Sequence, residues 1–411
     1  MDCLEKILQA ACEISPAWQE EPAFNPTISE YSGIRAVTYD GLGNTSTFAY
    51  LGIPQGASAE SPVPGIVLVH GGGGQAFLPW VKLWNDRGYA AIAMSTRGMF
   101  PKAVNAGSRL PDDPGYCHGM YGSFIKEGYA DSPDEDALRN SHLPLAERWM
   151  THALVKVIHA HNLPRSFCEV DNSRIGITGI SWGGNITSIA ITHDDRFAFA
   201  VPVYGSGYLK DALSYMGPRF QNPENAQYRA EDRFDRVKMP VLWVAWNDDN
   251  NFSVNSNSLS YLATAPNNPK TGLALIHEMW HDHPHGWGQP VIGAFADWVV
   301  KDAQPLITFA TQPEGKNACA TLNIPAGVSH LQGTLYWIDA PMTASVHDKY
   351  HYDMLNDAFT FMDQVWQIAP AKVEGNTLWA ALPAQAKGYY LEVRYTLGSE
   401  NMLATSVYTT L

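Results

Sequence analysis

The sequence predicts an α/β fold: a mostly parallel central sheet with helices on both faces, followed by a small all-β sandwich. Three observations carry this expectation. From about residue 60 to 302, strand-like and helical segments alternate, the pattern that builds a parallel sheet. The strands in that span are continuous apolar runs, as expected where both faces of a sheet are covered. After Asp302 the alternation stops and short strand-like segments separated by turn signals take over. The expected division is therefore an α/β domain over 1–302 and an accessory β domain over 303–411. Within the first, 1–60 is an N-terminal extension with the first strands, and 98–142 is an insert.

Taken in order, MDCLEKILQAACEIS reads as a short amphipathic helix, with Asp2, Glu5 and Lys6 among apolar positions. GIRAVTYDGLGNTSTFAYLGIPQG reads as two antiparallel strands around a Gly-Leu-Gly-Asn turn. PGIVLVHGGGG, from Pro64, is a buried strand running into a glycine loop. A helix from Trp80 to Arg87, stopped by Gly88, and a strand from Tyr89 to Ser95 complete a βαβ unit. Residues 98–142 carry many Gly, Pro and Asp, and a loop this long suits a lid or substrate-site insert. Alternation then resumes: a helix over Leu145–His161, the strand SRIGITGIS and the helix GGNITSIAITH. Strands follow from Phe197, Met239 and Gly272. In PVIGAFADWVVKD, Val291, Ile292, Phe295, Trp298 and Val299 share one helical face. In the β domain, TLYWIDA, FTFMDQVWQI, TLWAALP, YYLEVRYTLG and LATSVYTTL are strand-like, with one helix around Val346 to Ala358.

The chain has 411 residues, 45% of them hydrophobic and 11% aromatic, enough to bury a core and exclude a disordered chain. A net charge of −14 repels phosphate backbones and anionic lipid, so neither nucleic acid nor a membrane is an expected partner. It also favours a neutral substrate. No apolar run reaches the roughly 20 residues that span a bilayer. The N-terminal segment lacks the form of a secretory signal. Five scattered cysteines, Cys3, Cys12, Cys117, Cys168 and Cys319, show no CxxC spacing and read as free buried thiols in a reducing compartment, which makes a cytoplasmic location the expectation. A homo-oligomer is compatible with the sequence.

The strongest chemical signal is Gly179-Ile180-Ser181-Trp182-Gly183-Gly184. It is a G-x-S-x-G between a strand and a helix, where such a motif serves as a nucleophile elbow. A serine on so tight a turn sits in a strained backbone, and side chains two residues to either side would collide. The following helix N-terminus favours developing negative charge. A tetrahedral oxyanion needs two donors. One is the N–H of Trp182. The other comes from His70-Gly71-Gly72-Gly73-Gly74 after an upstream strand, with Gly72 preferred and Gly73 as the alternative. The orienting acid should follow a late strand, where Asp248 and Asp249 stand. The base should follow the next, where His277, His281, His283 and His285 cluster. His283 is chosen, with His281 and His285 as alternatives. His277-Glu278-Met279-Trp280-His281 is also formally H-E-x-x-H, but that zinc motif requires a helix, and the preceding GLALI is strand-like.

Two runs, HGGGGQAFLPWVKLWNDRGYAAIAM and VDNSRIGITGISWGGNITSIAITHDDRFAFAVPVYGSGYL, resemble the acetyl xylan esterase-like α/β-hydrolases. These are related to dienelactone hydrolases and to the catalytic domains of prolyl oligopeptidase-type enzymes. PVLWVAWNDDNNFSV resembles the family's acid loop, in which an Asn-Asp pair precedes an aromatic. Asp248-Asp249 and Phe252 take those places, so the resemblance implies Asp249 as the acid. MWHDHPHGW resembles its histidine loop, whose second histidine is the base, implying His283. The resemblance covers about residues 60–300. Asn185, where an aromatic often follows the glycine pair, and the 98–142 insert depart from the family pattern.

The resemblance implies a serine carboxylesterase acting through an acyl-enzyme on a short acyl ester, acetyl in the first instance, of a carbohydrate or small neutral molecule. Neither a metal nor an organic cofactor is expected. A prolyl oligopeptidase-type peptidase shares the elbow but generally carries a β-propeller, for which some 60 preceding residues are too few at about 40–45 per blade. A non-catalytic carbohydrate-binding protein is the third reading, with Trp337, Trp366 and Trp379 as stacking platforms.

Overall fold

The computed structural model describes residues 3–26, 29–98, 100–101, 124–125, 138–214, 216–249, 251–340 and 365–411. Most of the 98–142 insert, Cys117 and the helix expected at Val346 to Ala358 lie outside them. The chain divides into two compact units, 1–200 and 201–411.

The first unit opens with helix α1 (Leu4–Glu13), which buries Leu4, Leu8 and Ala11 at helical spacing. Strand β1 (Trp18–Glu20) pairs antiparallel with β2 (Ile34–Asp40), which forms a hairpin with β3 (Ser46–Gly52). Gly43 supplies the positive φ, 66°, that their turn requires. Next come β4 (Val63–Val69), α2 (Leu78–Asp86) and β5 (Ala90–Met94), a parallel βαβ unit whose helix stops at Gly88 with φ 80°. Two short strands, β6 (Phe100–Pro101) and β7 (Phe124–Ile125), pair with each other. Then follow α3 (Trp149–Asn162), β8 (Val170–Ile180) and α4 (Trp182–Ala190). The strands lie in the order β1-β2-β3-β5-β4-β8, with β4 parallel to both neighbours.

Helix α3 is buried along its whole length, His152, Lys156, His159 and His161 included. Its His161 Nδ1–H donates to Asp194, just beyond α4, at 2.9 Å, and Arg196 grips the same carboxylate at 2.7 and 2.8 Å. Burial alone would raise the Asp194 carboxyl, but these hydrogen bonds overturn that and hold it well below the usual carboxylate range. A paired ion therefore ties the end of α4 to α3.

In the second unit, β9 (Ala200–Val203), β10 (Leu242–Trp246) and β11 (Gly272–Ile276) are parallel neighbours. The helices are α5 (Met216–Gln221), α6 (Val254–Thr264), α7 (His283–Trp287) and α8 (Pro290–Val300). Helix α6 has no counterpart among the sequence expectations, because VNSNSLSYLAT has the composition of a loop. Its buried hydroxyls are satisfied within the helix: Ser256, Ser258, Ser260 and Thr264 each donate to a carbonyl three or four residues back, at 2.7–2.9 Å. Those bonds let buried hydroxyls line a helix.

Every described strand after α8 is antiparallel to its partners. They are β12 (Thr308–Phe309), β13 (Cys319–Asn323), β14 (Val328–Ile338), β15 (Gln367–Glu374), β16 (Thr377–Trp379), β17 (Gly388–Leu397), β18 (Glu400–Thr405) and β19 (Thr409–Thr410). Their order is β12-β13-β16-β15-β14-β17-β18, with β19 beside β17. The Thr405 hydroxyl of β18 accepts from Leu275 N–H at 3.0 Å and donates to the Leu273 carbonyl at 3.3 Å, covering the backbone of β11. Among the described residues, no helix is long and apolar enough to cross a membrane.

Candidate active site

In the first unit, β8 delivers Ser181 onto the turn before α4. The serine has φ 57° and ψ −120°, a region L-residues rarely enter. A Cβ on Gly179 would overlap the Gly183 carbonyl, and one on Gly183 would overlap the carbonyls of Val69 and His70. The second glycine is therefore demanded by the end of β4 as much as by the turn, and the start of α4 lies directly against the strand that enters the glycine loop.

That loop is a tight turn, with Gly74 N–H donating to the Gly71 carbonyl at 3.0 Å and Gly73 at φ 68°. Buried His70 holds its entrance. Its Nδ1–H donates to the Gly71 carbonyl at 2.7 Å, and its Nε2 accepts from Thr96 N–H at 3.0 Å. The Thr96 carbonyl accepts from the Trp149 indole at 3.0 Å, and the Trp149 ring meets Trp182 edge to face at 5.9 Å. Gly72, Gly73 and Trp182 thus sit on one braced frame. His70 is a contributor that the sequence showed only as the start of a glycine run.

In the second unit, the loop after β10 carries Asp249 and the loop after β11 carries the histidines. Asp249 is fully buried. Its Oδ1 accepts from the N–H groups of Asn251 and Phe252, both at 2.8 Å. Its Oδ2 accepts from His281 Nδ1–H at 2.6 Å. This fixes the His281 tautomer and leaves Nε2 as its basic nitrogen. The imidazole has two ring neighbours, Tyr204 at 4.4 Å and Phe252 at 6.2 Å, and is nearly parallel to the latter. Tyr204, at φ 32°, also donates its hydroxyl to the Asp282 carbonyl. No sequence signal marks it, because its role depends on a backbone angle and on a loop far along the chain.

The geometry favours His281 over His283, the histidine expected from the sequence. His283 opens α7, its ring tilted against Trp287 with centroids 6.2 Å apart. Burial, with His281 beside it, pushes its imidazole down to about 4, which makes it a poor proton acceptor at neutral pH. His285 is exposed and spent on the cap of α7, its ring and backbone N–H both engaging Asp282. The physical reason for the shift is local. Glu278, at φ 62°, turns the chain sharply after β11, and Asp282 then caps a short helix that carries His283 and His285 with it. The same turn removes the helix that H-E-x-x-H requires. His277 accepts from Asn247 at 3.2 Å, while His281 engages Asp249. Asp248, the alternative acid, accepts from the Trp366 indole at 2.8 Å, and burial pushes its carboxyl up to about 7.

Strand-to-elbow-to-helix order, the glycine loop after β4 and an acid–histidine pair on loops after late strands define an α/β-hydrolase. Residues 12–211 match the acetyl xylan esterase (AXE1) family model, and residues 157–293 match the prolyl oligopeptidase family. Both matches are to serine hydrolase families, one of esterases and one of peptidases, and they support an esterase-like serine hydrolase. Among solved structures it is similar to the acetyl xylan esterase from Paenibacillus sp. R4, at 18% identity and TM-score 0.47, over 68% of this chain and 88% of that one. It is also similar to acetyl xylan esterase 1 from Thermoanaerobacterium sp. JW/SL YS485, at 14% identity and TM-score 0.48, over 72% and 93%. For the acylaminoacyl peptidase of Pyrococcus horikoshii the values are 18% and 0.46, over 65% of this chain and 42% of that one.

Proposed function

We propose that the chain is a serine carboxylesterase that removes a short acyl group, acetyl in the first instance, from a carbohydrate or another small neutral alcohol. The α/β part, 1–302 in this reading, performs the chemistry, and 303–411 is accessory. The observation that carries the reading is the 2.6 Å bond from His281 to a buried, twice-bonded Asp249, in a chain whose elbow serine has φ 57°. Ser181 Oγ attacks the ester carbonyl as His281 Nε2 takes its proton. Asp249 holds the tautomer and stabilises the imidazolium. The N–H groups of Trp182 and Gly72, with Gly73 as the alternative, receive the oxyanion, each donor contributing about 3–4 kcal/mol in comparable sites. Collapse expels the alcohol, which takes the proton from Nε2. Water then repeats the sequence on the acyl-enzyme, releasing the carboxylic acid and freeing Ser181.

The acetyl group and the sugar are supported by the esterase match over 12–211, and the neutral alcohol by the net charge of −14. The prolyl oligopeptidase match over 157–293 favours a second reading, a serine peptidase. The carbohydrate-binding alternative draws less support. Trp337 and Trp366 are buried, and Lys372 covers the Trp379 ring at 4.9 Å. The test compares p-nitrophenyl acetate, p-nitrophenyl butyrate, acetylated xylo-oligosaccharides and aminoacyl-nitroanilides on the wild type and Ser181→Ala. Acetate release that vanishes in the variant supports the esterase. Nitroanilide cleavage without ester cleavage gives the peptidase, and activity that survives in Ser181→Ala rejects both.

A further inference from the structure

The two residues that lead into Asp249 are each held by an aromatic residue from the C-terminal antiparallel part of the chain. Trp366, immediately before β15, donates its indole N–H to Asp248 Oδ1 at 2.8 Å. Tyr390 of β17 accepts from the Asn247 side-chain amide at 3.1 Å. Neither aromatic is loose. Tyr390 is buried and stacks on Tyr336 at 4.9 Å, while the Trp366 ring meets Tyr390 edge-on at 5.3 Å and Tyr408 at 6.1 Å. The same stretch is fixed from the other side by Asn247 N–H to the Ile276 carbonyl of β11 at 3.2 Å. The stretch is therefore held by groups that have no chemistry of their own to perform. Asp248 keeps its carboxyl there although burial disfavours the charged form.

We propose that the C-terminal sheet is a brace for the acid loop, with Trp366 acting through Asp248 and Tyr390 through Asn247 as positioning residues for Asp249. This rests on the assignment of Asp249 as the orienting acid and His281 as the base. An acid that must meet one imidazole nitrogen tolerates little displacement, since an ångström of error at a reacting group costs up to about a hundredfold. The neighbours of Asp249 on the chain are the shortest levers on it. The brace assigns the β part a task within the reaction in place of sugar binding.

Steady-state kinetics of the full chain on p-nitrophenyl acetate across pH tests it. Trp366→Phe keeps the ring and deletes the donor, and Tyr390→Phe deletes the hydroxyl. Each is expected to lower kcat about three- to tenfold with KM within about twofold. Each should also move the acid limb of the kcat/KM profile to lower pH, because a looser Asp249 stabilises the imidazolium less. Asp248→Ala should match Trp366→Phe, the double variant should be no worse than either, and Asp248→Asn, which retains an acceptor oxygen, should lose less. Unchanged kcat and an unmoved limb in both aromatic variants, or a loss that only tracks melting temperature, would overturn the brace. Ser181→Ala and Asp249→Asn run alongside. If either keeps wild-type activity, the triad assignment fails and the brace with it. If both are inactive while the aromatic variants are unchanged, the brace alone fails.

Discussion

Around Ser181 the geometry is held by backbone, whereas around His281 it is held by side chains. The elbow needs a positive φ at one residue and no Cβ at two others, and the carbonyls of Gly183, Val69 and His70 enforce the latter. The acid–histidine pair instead depends on which of several similar side chains meets Asp249. That choice is made by a sharp turn at Glu278, a cap at Asp282, and neighbouring rings from Tyr204 and Phe252. A backbone-built feature leaves a pattern in the sequence, because few residues satisfy it. A feature built on side-chain choice leaves several candidates of equal standing.

The comparison breaks most visibly at the histidines. His281→Ala should reduce kcat on p-nitrophenyl acetate by about a million-fold, and His283→Ala by less than about tenfold. The reverse ranking would return the base to His283. Asp249→Asn should cost about 10,000-fold with folding intact, since the amide favours the wrong imidazole tautomer. A loss of tenfold or less would show that the two backbone N–H bonds, and not the charge, are what Asp249 is for. On the elbow side, Gly183→Ala should destabilise the fold by ~3 kcal/mol by urea titration, as overpacking against backbone does. An unchanged midpoint would mean that the turn has room for a Cβ.

The smallest effect belongs to Asp248. Its folded carboxyl, at about 7, lies above the ordinary value near 3.9, so its contribution to stability is complete below the ordinary value and declines as pH rises through about 7. Asp248→Asn removes that decline. The melting temperature of the wild type relative to Asp248→Asn should therefore fall between pH 5 and pH 8, and parallel profiles would contradict the burial of this carboxyl.

Much of the fold was legible for the same reason as the elbow. The apolar runs of β4, β5, β8 and β10 and the stop at Gly88 follow from burial and from φ, which composition reports directly. Helix α6 was not legible, since serine and asparagine favour turns and caps in a sequence, and only the packed chain shows their hydroxyls satisfied on carbonyls of the preceding turn. His70 was visible as a residue and invisible as a clamp, because its two bonds reach Gly71 and Thr96 across separate segments.

By itself the sequence determined the order of parts: a glycine loop, an elbow serine, an acid after one late strand, a histidine cluster after the next, and a change to antiparallel strands after Asp302. These follow from local sterics and periodicity, which act over a few residues. Only the tertiary structure decided that His281 and not His283 meets Asp249, and that the aromatics Trp366 and Tyr390 are turned inward onto Asp248 and Asn247. Those pairings join residues 32, 118 and 143 positions apart, so their selection depends on the packed chain and on no property that a short segment carries alone.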